Sequence, residues 1–269
     1  MKSMKAFVLF LGDMYSESNY IVMGDTTATA ANPTASHRLI HSPSSAVLID
    51  HPEAGWIMYD TGMPDNPEAT WPKNILDIVV VNKPKHSRMD YQLSLVGIKP
   101  KDIKHVITSH MHMDHVGNDK LFADTANFYV GKEEAAHAYR TVLQSPDPEK
   151  RGWYIKEEVL LTRKKVTYVD RDEELFPGVK VITLPGHTPC MLGIVIHLKD
   201  STIIFTSDSV NEKRNYNGQL PGVMHDSLGY VESLRKIKYL QKRYDARVFF
   251  GHDALQLSEE VKKAPDYYN

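Results

Sequence analysis

His110-Met111-His112-Met113-Asp114-His115 places four side chains able to bind a metal within six residues, directly after the apolar stretch His105–Ser109. Imidazole nitrogen together with carboxylate oxygen suits a borderline divalent ion such as zinc. His110 and His112 can point the same way from an extended turn, while Asp114 and His115 turn toward a second position. Four ligands so close in sequence crowd a single ion. The spacing therefore predicts two adjacent metal positions, each completed from elsewhere in the chain.

Three other segments offer the missing ligands, each just after an apolar run: His187 in Leu184-Pro185-Gly186-His187-Thr188-Pro189, Asp208 after Ile203-Ile204-Phe205-Thr206-Ser207, and His252 after Val248-Phe249-Phe250-Gly251. In α/β sheets, sites collect beyond the carboxyl ends of the strands, so separate strand ends can converge on one centre. Short β-rich runs fit that scheme at Lys5–Leu11, Ser45–Asp50, Trp56–Asp60, His105–Ser109, Phe128–Val130, Lys165–Val169, Lys180–Leu184, Gly193–Leu198, Thr202–Thr206 and Arg247–Phe250. Helical patterns alternate with them. The clearest runs from Asp226, a capping residue, to Tyr244, with Leu228, Val231, Leu234, Ile237 and Leu240 as its apolar stripe. Others are expected over Lys132–Leu143, Asp147–Leu161, around Tyr91–Val96 and over Ser258–Lys263. Gly12–Ser44 and Thr61–Arg88 lack periodicity, and such long connections tend to be lids or pocket walls. No repeat or interdomain linker is visible, so a single domain over residues 1–269 is expected.

Composition narrows the function classes. The 269 residues carry 32 basic and 34 acidic side chains, a net charge of −2, which supplies no field for gripping phosphate backbones. Nucleic acid is not an expected partner. The apolar run Ala6–Leu11 is far shorter than a membrane helix requires, and no secretory signal is apparent. A single cysteine, Cys190, cannot form an internal disulfide, so a reducing, cytoplasmic setting is expected. The oligomeric state, a homodimer included, stays open. No Gly-x-Ser-x-Gly elbow is present, and Cys190 has no base partner in sequence, so covalent catalysis has no evident nucleophile.

Taken together, the four ligand-bearing segments resemble the metallo-β-lactamase superfamily, which implies a four-layer αββα sandwich of α/β class and a dinuclear zinc site. The resemblance implies that His110, His112 and His187 hold one divalent ion, that Asp114, His115 and His252 hold the other, and that Asp208 bridges both. It also places Asp60 beneath the site, orienting a ligating imidazole through its second nitrogen. Within the superfamily the phrases Tyr59-Asp60-Thr61-Gly62-Met63-Pro64 and Phe249-Phe250-Gly251-His252-Asp253, with Ser109 ahead of the motif, are most similar to N-acyl-homoserine lactone lactonases.

That similarity implies a metal-dependent, quorum-quenching hydrolase whose partner is a small-molecule lactone. Two adjacent zinc ions lower the pKa of a bridging water enough to supply hydroxide near neutral pH. Asp114 is the expected proton shuttle to the leaving oxygen. A thioester hydrolase of the glyoxalase II type would use the same ligands and is the alternative; a non-catalytic metal-binding protein is a further one. Met113 and part of Gly12–Ser44 are expected to line the substrate pocket. Three residues beyond the bridging aspartate, lactonases of this kind usually have a tyrosine; this chain has Asn211, which still donates hydrogen bonds. Asn211 is therefore expected in the pocket, with Tyr216 or His225 as substitute donors.

Overall fold

Apolar residues on both faces of short strands demand a cover on each side, and the chain meets that demand with stacked layers. The computed structural model describes residues 3–269. In chain order its strands are β1 (Lys5–Phe10), β2 (Asp13–Glu17), β3 (Leu39–His41), β4 (Ser45–His51), β5 (Gly55–Tyr59), β6 (Val79–Asn82), β7 (Ile103–Thr108), β8 (Asn127–Gly131), β9 (Lys165–Val169), β10 (Glu173–Phe176), β11 (Val179–Thr183), β12 (Leu192–His197), β13 (Thr202–Phe205) and β14 (Arg247–Phe249). One sheet has the order β1-β4-β5-β7-β8-β9, the second β10-β11-β12-β13-β14, and a small third one β3-β2-β6.

Alternation along each strand divides the side chains between layers. Ala6 and Val8 of β1, Val47 and Ile49 of β4, and Ile107 of β7 face the second sheet, where Val181, Ile194, Ile203 and Phe205 meet them. The opposite faces of these strands and of β5 (Phe7, Leu9, Leu48, Met58, Val106) pack on Met89 and Leu93 of the helix Met89–Leu95. The outer face of the second sheet, with Ile182, Val195, Ile204 and Val248, is covered by Leu234, Ile237 and Leu240 of the helix Ser227–Tyr244. Helix, sheet, sheet and helix follow one another, giving the expected αββα sandwich. Among the described residues no helix is long and apolar enough to cross a membrane.

Each expected strand has a counterpart within a few residues of its place. Asp226 caps the longest helix, accepting from the Leu228 and Gly229 N–H groups. Three expectations need correction. The helix expected over Asp147–Leu161 is two short pieces, Pro148–Lys150 and Lys156–Val159, separated by Gly152 at φ +58°, a conformation that ends regular helix. The helix placed at Ser258–Lys263 lies earlier, at Ala254–Glu259, because Asp253 caps it by accepting from Gln256 N–H. The stretches read as aperiodic contain the third sheet: β2 and β3 come from the first of them and β6 from the second. Met14 and Val79 of that sheet pack with Met113, Trp71 and Ile155, so the sheet roofs one side of the strand-end cluster.

Candidate metal centre

Every side chain singled out as a ligand stands just beyond the carboxyl end of a strand. Residues 110–115 follow β7, His187 follows β11, Asp208 follows β13, and His252 follows β14. Glycine makes two of these approaches possible. Gly186 has φ +141° and lies where a Cβ would come within 2.4 Å of the Tyr230 backbone, and a Cβ on Gly251 would meet the Ser207 carbonyl at 2.9 Å.

The ligand atoms converge in three overlapping triplets, His110–His112–His187, His110–His115–Asp208 and Asp114–His115–His252, whose atoms within each triplet lie within 4.8 Å of one another. Asp208 stands between the groups. Its Oδ1 is 3.1 Å from Nε2 of both His115 and His252, and its Oδ2 is 3.4 Å from Nε2 of His187. Asp114 Oδ2 lies 3.5 Å from His115 Nε2 and 3.6 Å from His252 Nε2. Apart from the half-buried Asp114, all of these residues are buried.

The far side of each ring is anchored, which decides the nitrogen it presents. His115 Nδ1 is 2.9 Å from Asp60 Oδ2, His187 Nδ1 is 3.0 Å from the Val223 carbonyl, and His252 Nδ1 is 3.0 Å from the Pro43 carbonyl. His110 Nδ1 meets Ser109 Oγ at 2.9 Å, and that hydroxyl donates to Asp60 Oδ2 at 2.7 Å. Asp60 also accepts the Ser109 N–H at 2.7 Å and sits at φ +59°, a backbone conformation costly for a residue with a side chain. This carboxylate thus steadies both His110 and His115. His112 is the exception: its Nδ1 faces His187 Nε2 at 3.1 Å.

A cation fits this arrangement. His110 Nε2 is buried with no hydrogen-bond partner, an arrangement that buried polar atoms ordinarily avoid, and His115 Nε2 faces only carboxylate oxygens. Burial pushes His110, His112 and His187 down, toward the neutral form that ligates. His115 and His252 move the other way because the carboxylates of Asp114 and Asp208 outweigh burial. The imidazoles of His252, His115 and His187 in turn hold Asp208 ionised against its own burial.

A cavity opens over the cluster, walled by Met14, Tyr20, Ile21, Trp71, Val79, Met113, Trp153 and Val223, with Asp114, Asp208 and Asn211 at its polar end. Met113 and the expected portion of Gly12–Ser44 therefore do line it. Asn211 is buried there, and its Oδ1 has no partner. Tyr216 and His225 do not. The Tyr216 hydroxyl donates to Gln241 Oε1 and its ring faces Phe250, on the side of a different cleft. His225 is exposed, with its ring 5.1 Å from that of His137 and its backbone N–H donated to the Gly186 carbonyl. Cys190 is buried in the inter-sheet core, where burial pushes its thiol up, away from the reactive thiolate form.

Sequence reasoning missed Trp153, and it did not single out Tyr20 and Trp71 within Gly12–Ser44 and Thr61–Arg88, the stretches it read as lids or pocket walls. It also missed Glu134, a buried acid in the first turn of the helix Lys132–Gln144. A carboxylate three residues past a strand end followed by helix was the signal available for it.

Residues 39–252 match the family model described as the metallo-beta-lactamase superfamily. The N-acyl homoserine lactonase AiiB of Agrobacterium fabrum is 31% identical over 98% of this chain and 99% of its own length. The N-acyl homoserine lactonase of Bacillus cereus is 28% identical over 85% of this chain and 88% of its own. Among solved structures, a quorum-quenching N-acyl homoserine lactone lactonase superposes with a TM-score of 0.79 at 26% identity, covering 100% of this chain and 99% of that one. An N-acyl homoserine lactone hydrolase with N-hexanoyl-L-homoserine at its catalytic metal centre gives 0.83 at 24%, covering 100% of both.

Proposed function

Because the chain belongs to the metallo-beta-lactamase superfamily, we propose that it is a metallohydrolase that opens the ring of an N-acyl homoserine lactone or a related lactone. The observation that carries this reading is the pair of three-residue ligand groups joined by Asp208 at the floor of an apolar-walled cavity. His110, His112 and His187 would hold one divalent ion and Asp114, His115 and His252 the other, with Asp208 shared; nitrogen and carboxylate donors in this mixture suit zinc. When bound, such ions supply an acidified water as nucleophile and polarise the carbonyl oxygen.

The chain's own residues do the rest. Asp60 and the Val223 and Pro43 carbonyls keep the ligating imidazoles turned toward the centre. The aromatic and aliphatic walls exclude water and accept the acyl chain. Asn211 offers a hydrogen-bond donor beside the reacting carbonyl. The carbonyl carbon gains a bond to the water oxygen, the water gives up a proton to the Asp114 carboxylate, the ring C–O bond breaks, and Asp114 returns that proton to the leaving oxygen, yielding a hydroxy acid. Removal of an acyl-homoserine lactone signal is the corresponding biological role, and one unpaired cysteine suits a cytoplasmic location.

A panel of lactone, thioester and β-lactam substrates tests the reading. Lactone opening with acid release is expected, abolished by chelator and restored by zinc, cobalt or manganese, with two metals per chain by elemental analysis. Metal-dependent thioester cleavage without lactone cleavage would replace it with the glyoxalase II type of activity.

A further inference from the structure

Glu134 is fully buried at the third position of its helix, whereas Glu133 beside it is exposed. An acid in a first helical turn ordinarily complements the helix dipole from solvent. A buried one is costly unless its oxygens are bonded. Glu134 spends its Oε1 on two donors, the Met111 N–H at 2.9 Å and the Tyr154 hydroxyl at 3.1 Å, while its Oε2 is buried without a hydrogen-bond partner, so the Oε1 pair is what holds the group in place. Met111 is the residue between His110 and His112, so the direction of its peptide governs how those two side chains diverge. Tyr154 stands edge-on to the His112 ring, with centroids 4.8 Å apart. Just ahead of the helix, Gly131 lies where a Cβ would come within 2.0 Å of the Cys190 carbonyl, so the same helix start also abuts the segment that carries His187.

We infer that Glu134 is a positioning residue for the three-histidine metal position: it fixes the Met111 peptide and, through Tyr154, the His112 ring, so that His110, His112 and His187 meet at one point. The second position, formed by Asp114, His115 and His252, is oriented by Asp60, shared with His110 through Ser109, and by the Pro43 carbonyl, and does not depend on Glu134. This inference rests on the two-position ligand assignment proposed above, and it concerns metal affinity rather than substrate.

The experiment measures both zinc dissociation constants by chelator competition on the full chain, alongside the melting temperature of the metal-free protein. Glu134→Ala is expected to weaken one position by about 10- to 100-fold, as loss of a ligand-orienting partner does elsewhere, and to leave the other within about threefold. Glu134→Gln keeps a carbonyl acceptor for the Met111 N–H and is expected to restore most of the affinity. If Glu134→Ala does not fold, Glu134→Asp, one methylene too short to reach both donors, provides the same contrast. Equal weakening of both positions, in step with a lower melting temperature of the metal-free protein, would overturn the inference, as would unchanged affinity. A wild-type chain that binds no metal would instead overturn the ligand assignment itself.

Discussion

Asn211 is held where it is by its backbone and not by its amide. Its carbonyl accepts the His252 N–H at 2.8 Å, which ties it to a ligand segment, while its side-chain Oδ1 has no internal partner. That unpaired oxygen is an acceptor, suited to an N–H of a bound molecule, while the donor the reaction would use on a carbonyl is the Nδ2 group of the same side chain. Replacing it with alanine should therefore cost little stability and should act on the reaction. For Asn211→Ala we expect kcat on a lactone substrate to fall by about 10- to 100-fold, somewhat below the loss seen when a full oxyanion donor is removed. Steady-state kinetics, with a melting curve as control, provide the check. Unchanged kcat would mean that the metal centre alone activates the carbonyl. Tyr216, bonded to Gln241 and outside the cavity, should be silent in the same assay.

At the scale of elements, the short helix Ser18–Ile21 supplies Tyr20 and Ile21 to the cavity wall and is clamped to the segment after Asp208. The Tyr20 carbonyl accepts from the N–H groups of Gly222 and Val223 at 3.0 and 3.1 Å, and Asn215 Nδ2 donates to the Ile21 carbonyl at 3.1 Å. Gly222 is required there, since a Cβ would come within 1.9 Å of the Asn19 carbonyl oxygen. Asp25 closes the clamp between Arg38, at 2.9 and 3.0 Å, and Arg214. Hydrogen bonding from Arg38, against burial and with Arg214, holds the Asp25 carboxyl down at about 2. Because its folded pKa is depressed, its contribution is complete above the ordinary carboxylate range and is lost as pH falls through about 2. Salt is therefore the lever at working pH. Partly exposed pairs are worth about 1 kcal/mol or less, so Arg214→Gln should raise KM for long-chain lactones by about two- to fivefold with kcat unchanged. Wild-type protein in about 1 M salt should approach the same KM. A fall in kcat without a change in KM would show that this clamp does not shape the acyl wall.

Over the whole molecule, two sheets bury one core between them and leave their strand ends to hold the polar cluster. Asp60, Ser109, His115 and Ser207 interlock there across long sequence separations, with Ser207 Oγ donating to Ser109 Oγ at 3.0 Å. Metal that binds only the folded chain stabilises it by mass action, about 2.7 kcal/mol at a hundredfold excess over Kd. At about 2–4 °C per kcal/mol for a chain near this size, each zinc position filled should raise the melting temperature by about 5–10 °C, roughly twice that for both, and chelation should reverse it. An unchanged melting temperature would mean that the cluster takes no metal under those conditions. The candidate ligands and the strands that deliver them were legible in the sequence because both are local: residue type sets coordination chemistry, and a run of β-branched residues followed by a loop sets a strand end. The Asp226-capped helix was legible for the same reason. The third sheet was not, since β2 and β3 are short, partly polar and stabilised by each other and by β6 from a distant segment. Nor were the Trp153 wall, the exclusion of Tyr216 and His225, or the burial of Glu134. Those depend on which surfaces meet when residues a hundred positions apart pack together, a matter of long-range contacts that no local pattern encodes.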